Sequence, residues 1–176
     1  MLKNLIGDVS LRGYSFEYIS RILLRREKKN NFIFQLTRFD NVEEIIKKYR
    51  LNTSKLKNFQ KLLSQPIRCD LIEFKLNNNK ERIVEEISFY DVKTRKNESE
   101  RKYFETCLSN AKFMKKASDL GFKTFCISII TFEDWRFSFN IYPYKKVYLR
   151  VYNSVSKKTI YSGFSFDPDL ANSKYL

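Results

Sequence analysis

The fold is decided by two runs of strand-forming residues, Ile67-Arg68-Cys69-Asp70-Leu71-Ile72-Glu73-Phe74 and Ile83-Val84-Glu85-Glu86-Ile87-Ser88-Phe89-Tyr90-Asp91-Val92-Lys93-Thr94. Asn77-Asn78-Asn79 lies between them and is typical of a turn, so the two runs predict a β-hairpin. The spacing of this hairpin can bring Asp70 beside Asp91. Because side chains alternate along a strand, Asp91 and Lys93 share one face at a separation of about 6.6 Å.

Two carboxylates and one ammonium at the ends of adjacent strands suit a hard divalent cation and an activated water. A cluster of this kind is typical of phosphodiester hydrolysis. The alternatives are that Asp91 and Lys93 form a solvated ion pair and that Asp70 is a turn carboxylate. Three further acids compete as metal ligands, and one of them, Glu86, falls on the strand face opposite Asp91. The other two are Glu73 and Glu85.

The charge balance points to a polyanionic partner. The chain has 34 Lys plus Arg against 20 Asp plus Glu, a net charge of +14, which favours nucleic acid. It has no histidine, and this excludes histidine-based triads, HExxH zinc sites and imidazole bases. With only 4 glycines, neither GxGxxG nor a P-loop is present, so no nucleotide cofactor is expected.

Length and composition predict a single globular domain over residues 1–176, since 43% of the residues are hydrophobic. No apolar run is long enough to span a bilayer, and no membrane association is expected. The 3 cysteines are scattered without a CxxC pair and are interpreted as core residues of an intracellular protein. The expected location is cytoplasmic, nucleoid-associated or within an infected host cell.

The remaining pattern alternates helices and strands. Ser15 is predicted to cap a first helix over 16–28, and Gly121 to end a long helix over 99–120 that carries Phe104 and Cys107 on its buried face. Two shorter helices are expected over 42–49, capped by Asp40 or Asn41, and over 54–63. Further strands are predicted over 32–38, 122–132, 135–141, 147–152 and 159–164. This order indicates a layered α/β or α+β domain.

These residues resemble the PD-(D/E)xK, or restriction-endonuclease-like, nucleases, and look most like archaeal and viral members akin to the Holliday-junction resolvases. Cys69-Asp70 takes the place of the family's Pro-Asp, and Asp91-Val92-Lys93 takes the place of Glu-x-Lys. Gly13 precedes Glu17 by four residues, as in the family's first helix. Ala117-Ser118-Asp119-Leu120-Gly121-Phe122-Lys123 is similar to the junction between the second core helix and the next strand. The resemblance spans about residues 13–139.

The resemblance implies a restriction-endonuclease-like αβββαβ core over about 13–142, with a mixed central sheet flanked by helices. A helical insertion would follow the first strand at about 41–65. Extra C-terminal β-strands would occupy 146–166.

It also implies a Mg²⁺- or Mn²⁺-dependent deoxyribonuclease directed by DNA structure rather than sequence. The implied catalytic residues are Glu17, Asp70, Asp91 and Lys93. The metal ligands would be Asp70, Asp91, the backbone carbonyl of Val92 and Glu17. An acid in the first turn of a helix is also favoured by the helix dipole alone, and this is the alternative interpretation of Glu17.

Basic residues on both sides of these motifs are together candidate phosphate contacts, although any single one of them is more often a solvated charge. The set is Arg21, Arg25, Arg95, Lys96, Arg101 and Lys102. The lysines of the 41–65 insertion, Lys47, Lys48, Lys55, Lys57 and Lys61, would form a cleft wall or a partner surface. Whether the DNA is duplex, branched or single-stranded stays open.

Two other functions stay open. One is a nucleic-acid-binding or assembly protein on a nuclease scaffold that no longer cuts. The other is a structural homodimer built on the aromatic C-terminal strands. Tyr148, Tyr152 and Tyr161 could form a dimer face, a base-stacking platform or internal packing.

Overall fold

A computed structural model of the chain describes residues 9–28, 31–36, 41–54, 56–77, 82–96, 103–132, 137–164 and 166. Its helices are α1 (Val9–Glu27), α2 (Val42–Lys48), α3 (Phe59–Leu63) and α4 (Leu108–Asp119). Its strands are β1 (Asn31–Gln35), β2 (Leu71–Leu76), β3 (Val84–Lys96), β4 (Phe104–Cys107), β5 (Lys123–Thr131), β6 (Phe137–Pro143), β7 (Tyr148–Tyr152) and β8 (Thr159–Phe164), with a 3₁₀ turn at Tyr144–Lys146.

Within the described residues, five strands form a central sheet in the order β1-β2-β3-β5-β6. The β3–β5 pair is parallel and the other pairs are antiparallel. The predicted β2–β3 hairpin is confirmed, with Leu71 opposite Tyr90. The α+β class and the mixed central sheet flanked by helices are therefore confirmed.

A smaller sheet forms from β4, β7 and β8. The prediction of a helix from residue 99 was wrong for Phe104–Cys107, because this segment pairs in parallel with β7. Its alternation of Phe, Glu, Thr and Cys suits a strand, and the pairing partner lies some 45 residues further along the chain. The helix begins only at Leu108.

The first helix is longer than predicted. It begins at Val9, so Ser15 lies inside it and is not its cap. Gly13 does not stop it, because one glycine in a helix costs only about 1 kcal/mol, which packing on β1 and β3 can offset. Glu17 consequently lies in mid-helix, where the dipole of a first turn does not account for it.

The 41–65 insertion is less helical than predicted. α2 forms as expected, and the side chain of Asn41 caps it by accepting the backbone N–H of Glu43 at 2.9 Å. The predicted helix over 54–63 shortens to α3, because the preceding residues make turns and Asn52 forms a β-bridge with Ile83.

The two faces of the central sheet bury different partners. Ile87 and Phe89 pack on the face covered by α4, where Phe113 meets Phe89 edge-on. The opposite face buries Leu71 and Tyr90 together with Leu24 of α1. By alternation along β3, Asp91 and Lys93 continue the α4-side face. None of the described helices is long and apolar enough to cross a membrane.

Candidate metal centre

Asp91 and Lys93 form a buried ion pair near the middle of β3. Asp91 is fully buried, and its Oδ1 lies 2.7 Å from Lys93 Nζ. The Lys93 side chain is 19% exposed, so the pair reaches solvent through the lysine. Burial alone would lower the pKa of Lys93, but Asp91 and Asp70 together hold it above its ordinary value. Lys93 is therefore a fixed cation at neutral pH.

The second oxygen of Asp91 is held by the smaller sheet. Thr106 of β4 is buried and donates its Oγ1–H to Asp91 Oδ2 at 3.2 Å. On the other side of β3, Cys126 of β5 lies opposite Asp91. Burial, and then Asp91, raise the pKa of the Cys126 thiol, which therefore stays protonated.

Asp70 lies immediately before β2. Its backbone N–H donates to Tyr90 O at 2.9 Å and its carbonyl accepts from Leu36 N at 2.8 Å, which fixes its position beside β3. Its Oδ2 accepts the backbone N–H of Val92 at 2.6 Å. Burial, and then the charge of Asp91, raise the pKa of Asp70 well above its ordinary value, although Lys93 and the Val92 N–H act in the opposite direction.

Glu17 reaches the same cluster from α1. Gln35 at the end of β1 donates its Nε2–H to Glu17 Oε2 at 3.0 Å. Burial raises the pKa of Glu17, the Gln35 hydrogen bond and Lys93 oppose this, and Asp91 adds to it. The structure therefore brings the four predicted catalytic residues within electrostatic range of one another. They are Glu17, Asp70, Asp91 and Lys93.

The oxygen donors of this cluster fit a Mg²⁺ or Mn²⁺ ion. No three Asp, Glu, Cys or His side chains lie close enough to hold a metal between them, as far as the described residues show. Mg²⁺, however, is commonly bound by one or two carboxylates, with water or substrate oxygens completing its shell. Asp70 and Asp91 supply two carboxylates. Burial is the main cause of the raised pKa of Asp70 and repulsion by Asp91 is the second, and a cation between the two carboxylates would relieve that repulsion.

Two of the three competing acids have partners elsewhere. Glu73 is buried on the opposite face of the sheet, where Lys28 Nζ lies 2.8 Å from its Oε2, and Asn31 and Tyr90 also donate to it. Glu86 pairs with Lys123 of β5 at 2.6 Å. The third, Glu85, is exposed.

Three of the six predicted phosphate contacts have described side chains. Arg25 donates to Ile33 O at 3.0 Å, Arg21 lies 5.0 Å from the centre of the Tyr18 ring, and Arg95 lies 5.7 Å from the Phe104 ring. The side chain of Lys96, and Arg101 and Lys102 entirely, lie outside the described residues. In the insertion Lys47, Lys48, Lys57 and Lys61 are exposed, and Lys55 lies outside the description.

Two residues of the cluster were missed by the sequence analysis. Thr106 was assigned to a helix, and only the long-range pairing of β4 with β7 places it beside Asp91. Gln35 lies in an ordinary alternating strand, and nothing in that pattern indicates a contact with Glu17.

Comparison of the chain with protein-family models, curated proteins and solved structures found no match.

Proposed function

We propose that the protein is a Mg²⁺- or Mn²⁺-dependent deoxyribonuclease of restriction-endonuclease-like fold that hydrolyses phosphodiester bonds and is directed by DNA structure rather than sequence. The observation that carries this proposal is the position of Asp70. Its carboxyl group lies beside the buried Asp91–Lys93 pair, and its pKa is raised. Perturbed carboxyls grouped with a lysine are more frequent at catalytic sites than elsewhere.

The order of elements supports the fold assignment. α1, the antiparallel strands β1 to β3, α4 and the parallel strand β5 occur in the order of the αβββαβ core, with the short strand β4 added between β3 and α4. α2 and α3 follow the first strand, and β7 and β8 follow the core. The two acids and the lysine lie on β3 and just before β2, where the resemblance expects them.

Asp70, Asp91 and the Val92 carbonyl would hold the ion, which when bound would acidify a water molecule and neutralise the phosphate. Lys93 would orient or deprotonate the attacking water and offset negative charge in the transition state. Glu17, with its raised pKa, would accept a hydrogen bond from a metal-bound water or complete the metal shell.

The test is a cleavage assay on labelled duplex, flapped, branched and single-stranded DNA and on matched RNA, with EDTA, Mg²⁺ or Mn²⁺. We expect cleavage of DNA only with the metal, and a loss of at least about 100-fold in Asp70→Asn, the order of effect seen when one transition-state-stabilising group is removed. Asp119→Asn is the matched control, since Asp119 is exposed and pairs with Lys115 on α4. Undiminished cleavage by Asp70→Asn would place the active site elsewhere.

One observation favours a second function, a nucleic-acid-binding or assembly protein that no longer cuts. Both oxygens of Asp91 have protein partners, Lys93 and Thr106, so this pair can stand as a purely structural contact. Calorimetric titration with Mn²⁺ separates the two functions. Binding that is lost in Asp70→Asn but kept in Asp119→Asn supports the nuclease, whereas DNA binding without any Mn²⁺ binding supports the scaffold.

A further inference from the structure

The smaller sheet has one buried and one open face. Leu149 and Val151 of β7 are fully buried, so the alternating residues Tyr148, Arg150 and Tyr152 point outward. On β8, Phe164 lies directly opposite Tyr148. Tyr148 is 37% exposed and Phe164 is 61% exposed. We call the outward-facing set Tyr103, Tyr148, Arg150, Tyr152 and Phe164 the aromatic face.

Rings and cations alternate across the aromatic face. Tyr148 and Phe164 meet edge to face, with 5.0 Å between ring centres. The Arg150 guanidinium lies 5.3 Å from the centre of the Tyr103 ring and donates to the Tyr103 hydroxyl at 2.9 Å. The pattern differs from a core, because the rings of Tyr148 and Phe164 are open to solvent and Arg150 is the next outward-facing residue after Tyr148 on β7.

A hydrogen-bonded turn places a second cation, Lys157, at the edge of this face. Asn153 Oδ1 accepts the backbone N–H groups of Val155 and Ser156, and Lys157 takes a left-handed conformation with φ of 56°. In this turn Lys157 Nζ lies 5.7 Å from the centre of the Tyr152 ring. Lys157 therefore lies beside Tyr152 and leaves the rings of Tyr148 and Phe164 uncovered.

We propose that the aromatic face binds unpaired bases of single-stranded DNA. Exposed rings stack on bases of any sequence, and neighbouring Arg and Lys side chains neutralise the phosphates that connect them. The net charge of +14 favours the same polyanion. This inference rests on the proposed function, since it assigns a single-stranded segment to the substrate of the nuclease.

A second copy of the chain is a poorer occupant of this face. Stable interfaces bury about 800 Å² on each partner, far more than two exposed rings provide. Self-association would also bring together the positive charges of Lys157, whereas Arg150 already lies 3.9 Å from Glu105 Oε1 on β4. Nucleic acid, in contrast, complements these charges.

The test is fluorescence anisotropy in EDTA with a labelled oligothymidylate and a DNA duplex of equal length. Tyr148→Ala/Phe164→Ala should weaken oligothymidylate binding by about tenfold or more, with little effect on the duplex. Tyr148→Leu/Phe164→Leu keeps an apolar contact between the strands and should weaken binding similarly. Tyr142→Ala is the matched control, because Tyr142 is 41% exposed on β6 of the other sheet.

Several outcomes would overturn the inference: unchanged binding of oligothymidylate by both double variants, equal losses on single-stranded and duplex DNA, or a wild-type dimer that dissociates in the leucine variant. Cleavage is measured separately, with metal, on duplex, flapped, branched and single-stranded DNA. If the protein binds oligothymidylate through these rings but cuts no DNA, the nuclease proposal is refuted, whereas the assignment of the aromatic face to single-stranded DNA stands.

Discussion

Lys93 carries the positive charge that neutralises a fully buried carboxylate. The substitution Lys93→Met keeps much of the length of the side chain but leaves Asp91 without a cation. Removing one partner of a buried pair costs about 3–5 kcal/mol, and we expect Lys93→Met to fall near the lower end because its side chain is 19% exposed. The measurement is urea unfolding at neutral pH without metal.

The matched control is Lys115→Met on α4. Lys115 forms an exposed pair with Asp119 at 2.6 Å, so we expect a loss of no more than about 0.5 kcal/mol. Adding Asp91→Asn to Lys93→Met should restore most of the lost stability, because no uncompensated charge remains. A Lys93→Met variant as stable as the wild type would show that the pair is not buried in solution.

Asp70 should make folding depend on pH in a defined direction. Its pKa in the folded protein lies well above the unfolded value, mainly through burial, so between these two values the folded state binds more protons. Stability therefore falls as pH rises through this window. In EDTA, Asp70→Asn should be more stable than the wild type at neutral pH, and the difference should shrink towards acidic pH.

Thermal unfolding across a pH series measures this difference. Asp119→Asn, which changes an exposed carboxylate, should follow the wild-type profile. Saturating Mn²⁺ should stabilise the wild type but not Asp70→Asn, by about 2.7 kcal/mol at a concentration 100 times the dissociation constant. An Asp70→Asn variant less stable than the wild type at neutral pH would contradict the raised pKa.

At the scale of elements, the end of α4 depends on the glycine that follows it. Gly121 has φ of 90°, with its N–H donating to Ser118 O and the next N–H, of Phe122, donating to Ala117 O. No atom lies within 4 Å of a Cβ added there, so Gly121→Ala tests backbone strain alone. We expect a loss of about 1–2 kcal/mol in urea unfolding.

Gly121→Asn should lose less than Gly121→Ala, because asparagine adopts the left-handed conformation more readily. Ser118→Ala, an exposed change in the last turn of α4, should have a small effect. Equal stability of all three variants would mean that the turn relaxes without this glycine.

Elements with strong local signals could be predicted from sequence, and those that depend on distant partners could not. The β2–β3 hairpin, the buried β5 and the turn at Gly121 each have a pattern within a few residues. β4 alternates like a strand over only four residues, and its partner β7 is distant in sequence, so no local pattern indicates this pairing. For the same reason Asp70, Asp91 and Lys93, which lie in or next to the β2–β3 hairpin, could be predicted, whereas Thr106, which lies on β4, was missed.

At the scale of the whole molecule, the net charge of +14 should make DNA binding steeply dependent on salt. Each neutralised phosphate contributes about 0.9 to the slope of log affinity against log salt concentration. Charge reversal of Arg101 and Lys102 together should therefore reduce that slope by about 2. The measurement is duplex affinity in EDTA across a salt series.

Lys115 and Lys116 provide the control pair, since they lie on α4 and contact Asp119 and Gln65. Reversing them should leave the slope nearly unchanged. If the Arg101 and Lys102 variant behaves like this control, those two residues are solvated surface and the duplex binds elsewhere.

The buried Asp91–Lys93 pair also constrains how this protein can change over generations. Substitution of either residue alone destabilises the fold, because it leaves the other as an uncompensated buried charge. This cost does not depend on any role of the pair in catalysis. The effect at Asp70 is the opposite, since a neutral asparagine at this position would stabilise the fold in the absence of metal. If the protein is the nuclease proposed above, a lineage that no longer needs to cut DNA would first accept substitutions at position 70 and would retain the Asp91–Lys93 pair. An aspartate still stands at position 70 in this chain.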